Sequence, residues 1–529
     1  MEGIDAVPEA SGRGPRLRVA LDILSWALAA AGLALWLRAG PNARFWPWLG
    51  LALPAIRWTL NAGYRRRLRS WAVAARREAE EWGRGGPAIP WRAAVAFVAA
   101  PFFLFEASNG GTLGTFDTRP VTPTAVSLIR DGDVDLREFE GLRPPLLRTR
   151  DGVRCYSFQE VGGRIVSAYP SGMVPFAVLA ALPARAMGAD LDSAATLRYL
   201  EKATASAVAA LALGLAFLVA SRLATARGGA ATALLLATGS GFLTNVGLGL
   251  WQHGGVVVWL LAALLVECAR DGRPGRRATA FQGFALAQMV ACRPTAGLLA
   301  ALFGLWALAR SPRRGLWLGA CGAMGLAPWL GFHAWIYHDL RGPATIHAHA
   351  GTAGYWSFFA AWPMLGVLFS PARGLFVYQP WAVLAVVGVA AWARHGFRRP
   401  SGDVGPPGWR AFCLAAVVLH VVLIAAWWEW AGGYCYGSRL MIDALPPLAL
   451  LAAPVAAALA RTRRGVATLA ALALLGFAIH VPCIAFEAHR WNLERPRDLW
   501  SWSHAPFFYR ATGPGAPPEF ALGDQNVQR

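Results

Sequence analysis

Residues 203–220 read ATASAVAALALGLAFLVA, a stretch with no charged side chain. A run of this length, wound as a helix, crosses the roughly 30 Å of hydrocarbon in a bilayer. Comparable runs recur along the chain, near 17–37, 44–61, 91–107, 197–222, 315–336, 374–394, 410–427, 442–461 and 464–485. With 56% hydrophobic and 15% charged residues, the chain lies far from a soluble domain, which carries about a quarter charged residues. The sequence predicts an all-α polytopic membrane protein with about 13 transmembrane helices.

The net charge of +20 is placed in short segments between apolar runs, such as GYRRRLRSWAVAARR, RDGRPGRR, RSPRR, ARHGFRR and ARTRRG. That is the positive-inside pattern of cytoplasmic loops, not the basic face of a folded nucleic-acid-binding domain. Lys202 is the single lysine among 50 cationic residues, as a GC-rich bacterial genome would give. Putting the basic loops inside predicts a multi-pass protein of the bacterial inner membrane, with a cytoplasmic N-terminus and an extracytoplasmic C-terminus. The expected parts are an N-terminal transmembrane hairpin (1–62), a basic cytoplasmic segment (63–90), a membrane core (91–485) and an extracytoplasmic tail (486–529). The core opens with a long outer loop, 108–172. The run 173–189 is short and contains two prolines and Arg185, so it reads as a juxtamembrane or re-entrant helix. The N-terminal run lacks a small-residue cleavage site and reads as an anchor.

This topology puts most unusual polar residues at the outer face, at the ends of different helices, where a site is expected. Asp117, just beyond the 91–107 run, has two readings: a general base toward an acceptor hydroxyl, or a cap for the helix that Thr118 and Pro120 suit. QEVGGRIVSAYPSG reads as a hairpin turning at the glycine pair, and it makes Glu160 a second candidate carboxylate beside the reading of a surface salt bridge. Lys202 could hold a lipid phosphate as a point charge or snorkel to the headgroups. His253 lies in GLWQHGG, a tight outer turn with Trp251 as interface anchor, and could hydrogen-bond a substrate or simply be solvated. Arg293, in CRPT, interrupts apolar sequence with no acid nearby and needs a partner, for which a phosphate is suited. Arg373 in LFSPARGLFVYQP and Arg439 in GGYCYGSRLMIDALPP each follow a serine at the start of a helix, a setting for phosphate. Tyr434 and Tyr436 could stack on a sugar or sit in the headgroup belt.

Metal has little support. Asp131, Asp133 and Asp135 alternate without the closing glutamate of a calcium loop, and the histidines between His333 and His349 lack zinc-site spacing. No cofactor is expected. Of seven cysteines, five lie in or beside apolar runs, and Cys155 and Cys435 fall in outer loops where a disulfide is permitted.

Taken in order, DTRPVTPTAVSLIRDGDVDLREF, YPSGMVPFAVLA, LEKATAS, LWQHG, RPTA, LFSPARGLFVY and GGYCYGSRLMIDALP resemble bacterial GT-C glycosyltransferases, over about residues 91–510. The set they are most similar to is described as family 39-like or dolichyl-phosphate-mannose mannosyltransferase-like. The resemblance implies a GT-C-like membrane core whose first outer loop bears a catalytic acid. It implies transfer of a sugar from a polyprenyl-phosphate donor to a lipid, glycan or protein acceptor of the cell envelope. Carried over, Asp117 is the acid, and Lys202, Arg293, Arg373 and Arg439 are phosphate contacts. The chain departs from the pattern in lacking a second acid beside Asp117, in having Ser438 where the family commonly has proline, and in its first hairpin. One base with several cations suits a reaction whose leaving group is already a phosphate ester. The competing classes are a transporter or flippase of lipid-linked sugars and a non-catalytic assembly protein. A transporter would show paired halves and polar groups near mid-membrane, which the sequence does not.

Overall fold

In the computed structural model, residues 55–56, 58–109, 117–142, 146–147, 154–343, 356, 361–398, 405–485, 488, 491–495 and 498–509 are described. The expected first hairpin falls almost wholly outside these residues, as do His347, His349 and the tail beyond 509.

The described chain is helical apart from one two-stranded hairpin. In order, the main elements are α1 (Ala62–Gly83), α2 (Trp91–Ser108), α3 (Val121–Arg130), β1 (Phe158–Val161), β2 (Arg164–Ser167), α4 (Val174–Ala186), α5 (Ala194–Leu223) and α6 (Ala226–Thr238). They continue with α7 (Gln252–Ala269), α8 (Arg276–Cys292), α9 (Gly297–Arg310), α10 (Pro312–Tyr337), α11 (Ala361–Phe369), α12 (Val383–Arg394), α13 (Trp409–Ala426), α14 (Leu445–Leu459) and α15 (Arg463–Ala485). Among the described residues, six segments are long and apolar enough to cross a membrane: α5, α7, α10, α13, α15, and α14 with the 3-10 turn before it. This is the expected all-α polytopic membrane class. The expected span 374–394 is instead broken at Pro380, which has no N–H to continue the helix from Leu375–Tyr378 into α12.

The two largest hydrophobic clusters among the described residues position the site. The larger runs through the bundle and centres on α5, whose Ala205, Ala209, Ala212 and Ala216 let α2, α6 and α7 pack closely around it. The smaller joins Val126 of α3, Leu136, Phe139, Phe158, Ile165, Ala181 and Ala184 of α4, and Leu197 and Leu200 of α5. At 30 residues, α5 is about 45 Å long, longer than the hydrocarbon, and its first turns rise into this second core. The long loop is therefore a folded cap on one end of the bundle. α4 belongs to the cap: its 13 residues make about 20 Å of helix, short of a crossing. Glycine is decisive in the hairpin turn, where Gly162 and Gly163 both have positive φ. β1 and β2 pair antiparallel with Phe158 opposite Ser167.

Candidate active site

Asp117 enters α3 through a turn, yet it is not spent as a helix cap. That helix begins after Pro120 with no side-chain cap, and the Asp117 carboxylate faces three donors from elsewhere. Its Oδ2 accepts from Arg439 at 2.9 Å. Its Oδ1 accepts from the Tyr169 hydroxyl at 2.9 Å and from the Tyr156 hydroxyl. The hairpin brings the tyrosines in: Tyr156 precedes β1, and Tyr169 follows β2, where the Tyr337 hydroxyl of α10 donates to Ser167 O at 2.7 Å. Burial, then the neighbouring carboxylate, pushes both phenols well above their usual range, so they stay donors.

Arg439 opens the 3-10 turn Arg439–Ala444 that leads into α14. Its guanidinium lies 4.1 Å from the Trp251 ring centre and donates to Gly432 O at 2.6 Å. Gly437 sets up this approach: φ is +66°, and a Cβ there would lie 2.5 Å from Tyr378 Cδ1, so only glycine fits. Ser438 then donates to Gln379 Oε1 at 2.9 Å. Trp251, expected as an interface anchor, is buried beneath the arginine instead. The GLWQHGG segment is buried because the chain between α6 and α7, with a π turn at Phe242–Val246, folds inward against α2 and α5.

One turn further on, Asp443 is fully buried and holds two other predicted residues. His253 Nδ1 lies 2.7 Å from Asp443 Oδ1, and Arg293 donates to Oδ2 at 2.7 Å. The partner Arg293 requires is thus a carboxylate of the same chain, and His253 is not solvated. Lys202 is buried too, donating to Asn109 Oδ1 at 3.1 Å and Leu248 O at 2.9 Å, so it clamps α2, α5 and the α6–α7 connection and does not snorkel. Two of its three donors are thereby taken. Glu201 beside it accepts from Leu250 N at 3.4 Å.

Arg373 is buried where the SPARG turn meets the end segment. It donates to Ala372 O at 3.1 Å, Gly433 O at 3.2 Å and the Asn492 side chain, 5.4 Å over the Trp491 ring. Arg373 and Arg439 line one small recess, with Trp430, Gly437 and Ser438 among its other walls. The Nε of each is buried without a hydrogen-bond partner among the described residues. Buried donors of this kind are rare unless something else satisfies them.

Two predicted residues fall away from this cluster. Glu160 sits on an exposed edge of β1 and pairs with Arg154 at 3.2 Å, the plain salt-bridge reading. Tyr436 is packed against Tyr378 and His480, with its hydroxyl donating to Ile479 O at 2.5 Å, so neither face is open to a sugar. Cys155 lies against Arg119 in the cap and Cys435 beside the Arg439 turn, so the disulfide that their outer-loop positions permit is not formed. Asp133 and Asp135 brace their own turn, accepting from Ser127 and from Arg137 and Ile165, and no metal-holding cluster occurs among the described residues. Sequence reading missed Tyr156, Tyr169 and Asp443. Asp443 carried a signal: an acid inside an apolar run needs a partner.

The sequence matches no family model and no curated protein. Among solved structures, it resembles the oligosaccharyltransferase of Archaeoglobus fulgidus in the apo form, at 11% identity and TM-score 0.48, over 80% of this chain and 62% of that one. It also resembles ArnT from Cupriavidus metallidurans bound to undecaprenyl phosphate, at 15% identity and TM-score 0.43, over 77% of this chain and 65% of that one. The chain spans less than two thirds of the length of either. The likeness is of fold, and no residue role is carried over from it.

Proposed function

We propose that the chain is a membrane glycosyltransferase. It would take a sugar from a polyprenyl-phosphate donor and attach it to a hydroxyl acceptor at the membrane face that bears Asp117. One observation carries the reading: an acid and an arginine are paired at one end of the bundle, that arginine lines one recess with Arg373, and the Nε of each arginine is buried without a hydrogen-bond partner among the described residues. A phosphate oxygen is the natural acceptor for such donors.

In this reading the acceptor oxygen attacks the anomeric carbon and forms the new glycosidic bond. The bond from that carbon to the phosphate oxygen breaks, and the polyprenyl phosphate leaves on Arg439 and Arg373. The acceptor proton passes to Asp117. Without donor, Asp117 is occupied by Arg439 and two tyrosines. Donor phosphate competes for Arg439 and frees Oδ2 for the acceptor, so donor binding prepares the base. His253, Arg293 and Asp443 then serve by fixing the turn that carries Arg439, and Lys202 by fixing the floor.

The test is Asp117→Asn in the purified protein, with a radiolabelled undecaprenyl-phosphate sugar as donor and native membrane extract as acceptor source. The variant should fold, still bind undecaprenyl phosphate, and lose transfer by a factor of about a hundred or more. Near-normal turnover would remove Asp117 as base.

A further inference from the structure

The segment from Arg439 to Leu459 has 21 residues and runs from the Asp117 site to the other end of the bundle, about 30 Å away. A second recess opens at that far end, between the end of α1, the α5–α6 turn and the end of α14. Its volume is about 260 Å³, and its charged walls are Arg84, Arg227, Arg461 and Glu80. None of the three arginines has an ion pair among the described residues, and all three are exposed. The one acid is already engaged: Arg76 Nε donates to Glu80 at 2.8 Å. That bond, followed by the charges of Arg76, Arg84 and Arg227, holds the Glu80 carboxyl below its usual range, as a positive local field requires.

The floor is apolar and tight. A Cβ at Gly228 would lie 2.7 Å from Ala457 Cβ, so α6 and α14 touch backbone to backbone beneath the arginines. The amino end of α6 faces the recess, with Thr225 capping Gly228 N at 3.1 Å. From Arg227, positions 230, 231 and 234 continue one outward stripe of α6, and Leu234 on it is half exposed. The recess therefore has cations at the level where two spans end, and an apolar stripe running from it toward the hydrocarbon.

We propose that this recess binds the headgroup phosphate of an anionic phospholipid, with an acyl chain laid along the Leu234 stripe. Basic pockets between helices at a membrane surface hold such headgroups, and each cation near the surface adds to the attraction. The site lies a full hydrocarbon thickness from Asp117 and does not depend on the transferase reading.

The test is native mass spectrometry of the full-length protein in detergent, titrated with phosphatidylglycerol, phosphatidylethanolamine or inorganic phosphate. Wild type should retain phosphatidylglycerol in preference to phosphatidylethanolamine. Arg84→Gln, Arg227→Gln and Arg461→Gln together should weaken retention at least tenfold. The control removes the same charge from the α7–α8 turn, Arg273→Gln, Arg276→Gln and Arg277→Gln, and should change it less than threefold. If the triple variant does not purify, Arg227→Gln alone should weaken retention at least twofold. Equal losses in both triples, equal retention of the two lipids, or displacement of phosphatidylglycerol by millimolar inorganic phosphate would each overturn the proposal, the last in favour of a soluble phosphate.

Discussion

Removing Arg439 should expose how tightly the cap is bound to the bundle. Its side chain and that of Asp117 are 12% and 14% exposed, so the pair is nearly out of water. Breaking a fully buried pair by deleting one partner costs about 3–5 kcal/mol, because a charge is left unpaired. With residual exposure, the low end applies to the ion pair, and Arg439→Gln also loses the Trp251 face and the Gly432 bond, about 1 kcal/mol each. Arg439→Gln should therefore destabilise by about 5 kcal/mol. Asp117→Asn should cost about 2 kcal/mol, since Asn still accepts from the tyrosines while Arg439 keeps Gly432 and Trp251. If the two charges meet, the double variant falls short of the sum by about 2 kcal/mol, the coupling expected for residues in contact. Reversible unfolding of the four proteins in mixed micelles measures it. Additivity within about 0.5 kcal/mol would refute the pairing.

Gly437→Ala should lose at least about 2 kcal/mol from positive φ and the clash with Tyr378, and should abolish donor binding with it; a thermal midpoint equal to wild type counts against the turn. Tyr436→Phe should cost about 1 kcal/mol through its bond to Ile479 and leave the donor KM unchanged; a raised KM returns Tyr436 to the site. The Tyr156 and Tyr169 phenols are raised when folded, so their contribution is fully present below the unfolded value near pH 10 and is lost as pH climbs through the folded values. Alkaline loss of stability should begin above about pH 10 and be blunted in Tyr156→Phe/Tyr169→Phe, as unfolding followed against pH would show. With no disulfide between its seven cysteines, the protein should keep its unfolding midpoint in reductant; a drop would mean a disulfide exists.

What could be read from the sequence was whatever carries a period or a punctuation mark. Uninterrupted apolar length gave α5, α10 and α15 to within a few residues, and Gly162-Gly163 between alternating residues gave the hairpin with its turn. Pairings across long sequence separations could not be read. Arg293 is visibly in need of a partner, but nothing in its own neighbourhood points to Asp443, 150 residues away. Tyr156 and Tyr169 lie in irregular chain where no periodicity ranks one tyrosine above another; only the closed hairpin brings both hydroxyls to Asp117. Lys202, Trp251 and His253 are buried where the sequence places them at the membrane surface, for a common reason. Residues at helix ends were assigned to the membrane surface, whereas the cap and the α6–α7 connection cover that end and turn surface positions into interior ones.

The 3-10 turn Arg439–Ala444 explains how the acid on the long loop, the base of the proposed reaction, is held in place. Its first residue is bound by the cap through Asp117, and its fifth is bound by the bundle through His253 and Arg293. Because the two lie four residues apart on one short helical turn, neither half can shift without disturbing a nearly buried charge in the other. The cap is thus held against the membrane core by charge at Asp117 as well as by its apolar contacts with α5 and the Tyr337 bond to Ser167 O. The same arrangement makes the pairing conditional. A phosphate that takes Arg439 replaces the partner the cap relied on, so donor binding should loosen the cap at Tyr156, the more exposed of the two tyrosines, and open the way for an acceptor. Hydrogen exchange at residues 154–161 should then rise when undecaprenyl phosphate is added. Unchanged or reduced exchange there would mean that Arg439 keeps Asp117 throughout, and that the base is freed by some other movement.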